Sequence, residues 1–335
     1  MTKPVVFLVD AIDFLGPYAY ERAALAAHGI ELREGHCQTA EDIMAQGQGA
    51  EMLWTLAAPI PRAALAALPD CRIALRWGVG YDVIDAVAAM ELGVAVANCP
   101  TYCTEEVATH ASALILNMAR KVSEADRAVR AGRWPYAGFK PIQRLSTRTL
   151  GFVGFGRIAR MTASQLAGFG FRALAYDPFL PDAVVRAQGA QPVELPILLA
   201  ESDYVSVHVP LGPDTRHLLG AAELGQMKPS AYLINTSRGP LIDEAALVRT
   251  LQEGRIAGAA LDVFETEPLD PASPLRNMDN VVLTPHMGAT SEQALPALRR
   301  EACDTAIHWF AEGWAPNVVN PQVRERLRSR RSSAD

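Results

Sequence analysis

The chain has 335 residues, half of them apolar and a fifth charged, with a formal net charge of −6. At roughly 150 residues per domain this length holds two cored α/β domains, and the acidic balance argues against a nucleic acid or an anionic membrane as partner, since either selects a basic face. Five cysteines, Cys37, Cys71, Cys99, Cys103 and Cys303, show neither paired nor metal-type spacing, which fits a reducing cytoplasm and no bound metal.

The opening MTKPVVFLVD reads as one short strand, with no export signal and no apolar run long enough to span a bilayer. Strand and helix then alternate through an alanine-rich helix around Tyr20 to Ala27 and the apolar runs Met52 to Leu56, Arg72 to Leu75 and Val94 to Ala97, the pattern of a parallel sheet. The amphipathic segment TEEVATHASALILNMARKV follows. It has Glu105 and Glu106 in its first turn and Arg120 and Lys121 at its end, as a helix dipole favours. It is expected to bridge into a second α/β domain.

That domain opens with TLGFVGFGRIA, Thr149 to Ala159, which sets a glycine-rich turn between a buried strand and a helix. Gly154 allows the tight turn, Gly156 lets the backbone approach a phosphate, and Ala159 takes the small position where helix packs on strand. A helix N-terminus there faces a dinucleotide pyrophosphate with unpaired N–H groups. The next strand, Ala173 to Tyr176, ends on Asp177, about 20 residues on, where an acid receives the adenosine ribose hydroxyls. Further strands are expected at Tyr204, Ala231, Ala257 and Val281. A last helix through Phe310 carries a Thr290/Gln293 capping-box pattern and a Pro296 that delays or kinks it. The tail after Val323, with Arg324, Arg326, Arg328, Arg330 and Arg331, reads as a frayed, solvated terminus. The expected architecture is α/β, two doubly wound parallel-sheet, Rossmann-like domains with a cleft between them. Residues 1–103 plus 295–335 form a discontinuous, flavodoxin-like substrate-binding domain, and residues 104–294 form the inserted dinucleotide-binding domain.

Three segments place a charged or titratable residue at a strand end: LINTSRGP with Arg238, ALDVFETEP with Asp262 and Glu267, and VVLTPHMGAT with His286. Such ends converge on one crevice. An arginine there grips a carboxylate or polarises a carbonyl, and a histidine beside a carboxylate passes a proton near neutral pH. Singly, Arg238 could cap a carbonyl, Glu267 could be a solvated loop acid and His286 a hydrogen-bonded core histidine. Their joint placement after a nucleotide fold favours hydride and proton transfer. His110, inside the long helix, and His208, at a strand end, read as packing or cofactor-lining residues.

The motifs RWGVGYDVID, NCPTYCTEEVATHA, LGFVGFGRIAR, INTSRGPLIDEAAL, GAALDVFETEP and LTPHMGAT together resemble those of the D-2-hydroxyacid dehydrogenases, from about Met52 to Asn320. The resemblance implies NAD as cofactor and a small 2-hydroxy or 2-keto acid as substrate. It further implies Arg238 as a substrate-binding residue, His286 as acid/base and Glu267 as its partner. Backbone N–H groups of Gly78, Val79 and Gly80 would hold the substrate carboxylate. Gly154, Gly156, Arg157, Ile158 and Asp177 would hold the dinucleotide, with Val209, Pro210, Thr236, Ser237, Asp262, His286 and Gly288 lining the cofactor cleft. A homodimer burying an apolar face of the long helix is also implied. Within the family, RWGVGYDVID and the stretch from Asn98 to Ala108 look most like bacterial relatives of the C-terminal-binding protein corepressors. Those follow the active-site histidine with Ala-Ala-Trp-Tyr, where this chain has Met287, Gly288, Ala289 and Thr290. The region of Thr55 and Leu56 lacks the arginine with which phosphoglycerate dehydrogenases hold a phosphate, and no regulatory domain is expected after Asn320. The rival to an NAD-dependent enzyme is an NAD-sensing, corepressor-like binding scaffold without turnover, which would need the cofactor site and not the Arg238, Glu267 and His286 set.

Overall fold

The computed structural model describes residues 3–12, 16–135, 138–139 and 141–327. The chain divides into two compact units, Met1–Cys103 with Ser291–Asp335 and Thr104–Thr290. The second crossing thus falls in the turn before the last helix, ahead of the expected boundary at 294.

Unit 1 runs β1 (Val5–Leu8), α1 (Ala19–Ala26), β2 (Glu31–Glu34), α2 (Ala40–Gln46), β3 (Met52–Thr55), α3 (Arg62–Ala67), β4 (Ile73–Arg76), α4 (Ala86–Glu91) and β5 (Ala95–Ala97). All its strands pair in parallel in the order β2-β1-β3-β4-β5, the flavodoxin-like arrangement. β3 and β4 read MLWT and IALR because a central parallel strand is covered on both faces. β2 was not legible as a strand. Its sequence ELRE pairs only with β1, so one side chain, Leu32, is buried and no apolar run forms.

Unit 2 runs α5 (Thr104–Arg120), α6 (Val122–Arg130), β6 (Thr149–Val153), α7 (Arg157–Leu166), β7 (Arg172–Tyr176), α8 (Asp182–Ala187), β8 (Gln191–Pro192), α9 (Leu195–Glu201), β9 (Tyr204–Val207), α10 (Ala221–Leu224), β10 (Tyr232–Asn235), α11 (Glu244–Gln252), β11 (Gly258–Leu261) and β12 (Val281–Leu283). Its seven strands lie in the order β8-β7-β6-β9-β10-β11-β12, all parallel. This is the Rossmann order extended by one strand, with the chain reversing direction of growth between β6 and β9. α5 packs much of its apolar face inside unit 2. Leu114, Ile115 and Met118 pack with Phe152, Ile234 and Ala260 in one buried cluster. Each such large side chain contributes on the order of 1.5–3 kcal/mol.

The chain returns to unit 1 in α12 (Ala294–Glu312), which packs Leu298, Ala302, Ala306 and Trp309 into the core with Trp54 and Leu75. The Thr290/Gln293 capping box does not form. The Ser291 hydroxyl accepts from the N–H groups of Gln293 and Ala294 instead, at 3.2 and 2.9 Å. Pro296 sits in the first turn of α12, where its missing N–H would have had no helical partner, so it neither delays nor kinks the helix start. The segment Pro321–Arg326 is a 3₁₀ turn anchored by buried Val323, with the Arg324 guanidinium 5.0 Å from the Trp314 ring centroid. This part of the basic tail is therefore tied down; Arg328, Arg330 and Arg331 lie outside the described residues. All five cysteines are buried thiols without a disulfide, and burial pushes Cys37 up to about 11 and Cys303 up to about 12. Among the described residues no helix is long and apolar enough to cross a membrane.

Candidate active site

The carboxyl ends of the unit 2 strands gather nearly all the candidate residues. Gly154 follows β6 with φ +84°, and a Cβ there would lie 2.8 Å from the His208 carbonyl oxygen. Both the left-handed backbone and the close approach demand glycine. Gly156, the residue before α7, faces open space where a Cβ would meet nothing within 4 Å. Arg157 and Ile158 start that helix. Asp177, after β7, accepts from the N–H groups of Phe155 and Phe179 at 2.9 and 3.0 Å, so the acid at the second strand end is bonded to the glycine turn itself. Open space at a helix N-terminus beside a positioned acid fits a dinucleotide pyrophosphate and its ribose. Thr236 adds a buried hydroxyl with no partner among the described residues, which is the kind of group a bound ligand satisfies. Ser237 is engaged, its hydroxyl donating to the Val207 carbonyl at 2.8 Å. Val209 packs against Gly154, and the exposed Pro210 accepts at its carbonyl from the Thr215 hydroxyl at 2.8 Å.

Asp262 follows β11 and is 1% exposed. Its carboxylate accepts from the Thr284 hydroxyl at 2.6 Å and from the N–H groups of Met287 and Gly288 at 3.0 and 2.9 Å, with His110 Nε2 at 3.3 Å. Burial pushes this carboxyl up, but the bonds from His110, Thr284, Met287 and Gly288 outweigh burial and hold it below its ordinary range. The Asp262 carbonyl also accepts from the His286 N–H at 2.8 Å. Asp262 therefore fastens the whole turn that carries His286, whose backbone is left-handed at φ +53°. His110, expected as a packing or cofactor-lining residue, bonds to Thr284 at 3.1 Å across 174 positions, a partner that no local sequence signal marks.

On that turn His286 Nδ1 lies 2.7 Å from Glu267 Oε2, while Glu267 Oε1 accepts from the Phe264 N–H at 3.0 Å. The two side chains stay 43% and 36% exposed, and a cavity of about 550 Å³ walled by Phe264, Leu269, Leu283 and Pro285 opens beside them. Burial raises the Glu267 carboxyl, yet the bond to His286, the Phe264 N–H and the charges of His286 and Arg238 hold it below its usual range. The positive charge of Arg238 is thus felt by Glu267. Arg238 extends from a turn that Asn235 closes, accepting from the Ser237 N–H at 3.0 Å and donating to the Arg238 carbonyl at 2.8 Å. His208 differs: desolvation lowers it to about 4, and its Nε2 is bonded to Ser206 Oγ at 2.8 Å, so it stays neutral and engaged.

In unit 1, Gly78, Val79 and Gly80 form the loop after β4. The Cys99 N–H donates to the Gly78 carbonyl at 2.9 Å and the Asn98 side chain to the Val79 carbonyl at 2.6 Å. The Gly78 N–H, expected to hold a substrate carboxylate, donates instead to the Arg76 carbonyl at 2.9 Å, and among the described residues the N–H groups of Val79 and Gly80 have no acceptor.

Residues 112–288 match the family model described as D-isomer specific 2-hydroxyacid dehydrogenase, NAD binding domain. The chain is 42% identical over 269 residues to a glyoxylate reductase of Korarchaeum cryptofilum, covering 79% of this chain and 81% of the relative. A solved glyoxylate reductase from Paecilomyes thermophila is similar at 28% identity with a TM-score of 0.86, covering 96% of this chain and all of that one. A D-lactate dehydrogenase from Aquifex aeolicus, solved with NAD and lactic acid, is similar at 26% identity and a TM-score of 0.81, covering 96% of this chain and 98% of that one. With the glycine turn, the strand-end residues and these relatives in agreement, the chain belongs to the D-isomer-specific 2-hydroxyacid dehydrogenase family and is an NAD-dependent oxidoreductase.

Proposed function

We propose that the enzyme interconverts a small 2-keto acid of the glyoxylate type and the corresponding 2-hydroxy acid, with His286 as acid/base. The observation that carries this reading is the 2.7 Å Glu267–His286 pair under the charge of Arg238, on the same sheet edge as the glycine turn. Because Glu267 is held ionised, it accepts from Nδ1–H and so leaves Nε2 of His286 as the nitrogen that exchanges a proton with substrate. Protonated His286 gives that proton to the carbonyl oxygen in reduction, and the neutral ring removes it from the hydroxyl in oxidation. The Arg238 guanidinium polarises the same oxygen and stabilises the charge that develops there. Gly154, Gly156, Asp177 and Thr236 would hold the nicotinamide cofactor, whose chemistry would be to supply or accept the hydride. The naming of the curated relative as a glyoxylate reductase supports the choice of a small keto acid.

The test is turnover of a panel of glyoxylate, hydroxypyruvate, pyruvate and longer keto acids with NADH and with NADPH. Glyoxylate reduction above the others supports the reading, and no turnover of any 2-keto acid overturns it. NADH is expected to be preferred, because a 2′-phosphate would set like charge against the Asp177 carboxylate. Asp177→Ala should narrow the preference, and equal kcat/KM for the two cofactors in the unmodified enzyme would remove this role for Asp177.

A further inference from the structure

Three non-glycine residues among those described have a left-handed backbone: Lys121, His217 and His286. Two of them are histidines that pair with alternate glutamates of one loop, His286 with Glu267 and His217 with Glu265. Such backbone conformations persist in bulky residues only where surrounding contacts fix them.

The contacts at His217 bind three segments together. Its N–H donates to the Pro240 carbonyl at 2.8 Å, and the chain from His217 to Leu219 continues beside residues 240–243, with the Leu219 N–H donating to Leu241 at 3.0 Å and the Asp243 N–H to Leu219 at 3.2 Å. Its imidazole Nε2 meets Glu265 Oε1. The Glu265 N–H in turn donates to Glu244 Oε2 at 3.0 Å. Gly239, next to Arg238, lies so close to the Phe264–Glu265 peptide that a Cβ would fall 1.9 Å from the Phe264 carbonyl carbon and 2.4 Å from the Glu265 nitrogen. The segment carrying Arg238 is therefore pressed against the segment carrying Glu267, and His217 holds the first by its backbone and the second by its side chain.

We infer that His217 and Glu265 are positioning residues, a strut that fixes the Arg238 segment against the Glu265–Glu267 loop. This rests on the functional reading of Arg238, Glu267 and His286 given above. The pair is 39% and 28% exposed, and polar side-chain pairs this accessible add little to global stability. Its effect lies in geometry, where small displacements of a substrate-gripping group cost large factors in rate.

The test compares His217→Asn, Glu265→Ala and Glu265→Gln with the parent, using glyoxylate and NADH. Asparagine tolerates the left-handed backbone but does not reach Glu265. His217→Asn and Glu265→Ala should each raise KM for glyoxylate about 10-fold or more, in keeping with the cost of a displaced binding group. NADH affinity, read by fluorescence, should stay within about two-fold and Tm within a few degrees. Glu265→Gln keeps an oxygen that accepts from His217 and should return KM to within a few-fold of the parent. Unchanged KM in His217→Asn and Glu265→Ala would overturn the strut. So would a KM rise matched by equal loss of NADH affinity or by a collapse of Tm, or a Gln variant no better than Ala. Failure of the parent reading shows separately, as full activity in Arg238→Lys and His286→Gln whatever the His217 and Glu265 variants do.

Discussion

His286→Gln is expected to lower kcat/KM by about 10²- to 10⁴-fold in both reaction directions, the usual range for loss of a positioned general acid/base. Glutamine keeps a polar side chain near Glu267 but titrates nowhere in the working range, so it neither delivers nor accepts the proton. The turn itself should survive, because Asp262 holds it through the N–H groups of Met287 and Gly288 and through its own carbonyl to the residue-286 N–H. NADH binding should therefore be nearly unchanged. Steady-state rates in both directions, with fluorescence titration of NADH, check this. A variant retaining more than about a tenth of parental kcat/KM would remove His286 from the acid/base role.

Arg238→Lys should cost on the order of 100-fold or more in kcat/KM although the charge is kept. A guanidinium presents two parallel donors in a fixed plane, and an ammonium is a compact point charge that cannot reproduce both bonds to substrate. The turn and one side-chain bond orient the group. Asn235 closes the turn under Arg238, and Arg238 Nη1 donates to the Ser237 carbonyl at 2.8 Å. Kinetics with glyoxylate would show a Lys variant within a few-fold of the parent if Arg238 does not grip substrate.

The glycine turn was legible because its chemistry is local: a strand, two glycines, a helix start and an acid about 20 residues on. Arg238, Glu267 and His286 could be named because each follows an apolar strand, and strands of a parallel sheet deliver their ends to one edge. What could not be read depends on contacts far apart in sequence. Nothing near His110 announces that it meets Thr284 and Asp262, or that Asp262, buried and bonded to four groups, anchors the His286 turn. His217 looks like an ordinary loop histidine until Glu265 is brought against it. The edge strands β2 and β8 were missed for a related reason, since a strand paired on one side only needs little apolar sequence. The Ser291 hydroxyl, rather than that of Thr290, accepts from the N–H groups at the start of the last helix because the choice between adjacent hydroxyls is made by the turn that delivers them.

The central claim is that Glu267 and His286 act as one proton-handling pair, and the pH dependence of kcat/KM for Glu267→Gln, measured in both directions with saturating cofactor, tests it most directly. Glu267 is held below its usual range, so it faces His286 as a carboxylate throughout the working range. Glutamine keeps much of the shape and removes the negative charge that favours a proton on the neighbouring ring. Reduction needs that proton, so the high-pH limb should move to lower pH. Oxidation needs the neutral ring, so its low-pH limb should move to lower pH as well. Limbs that stay in place, or that move in opposite directions, would contradict the pair.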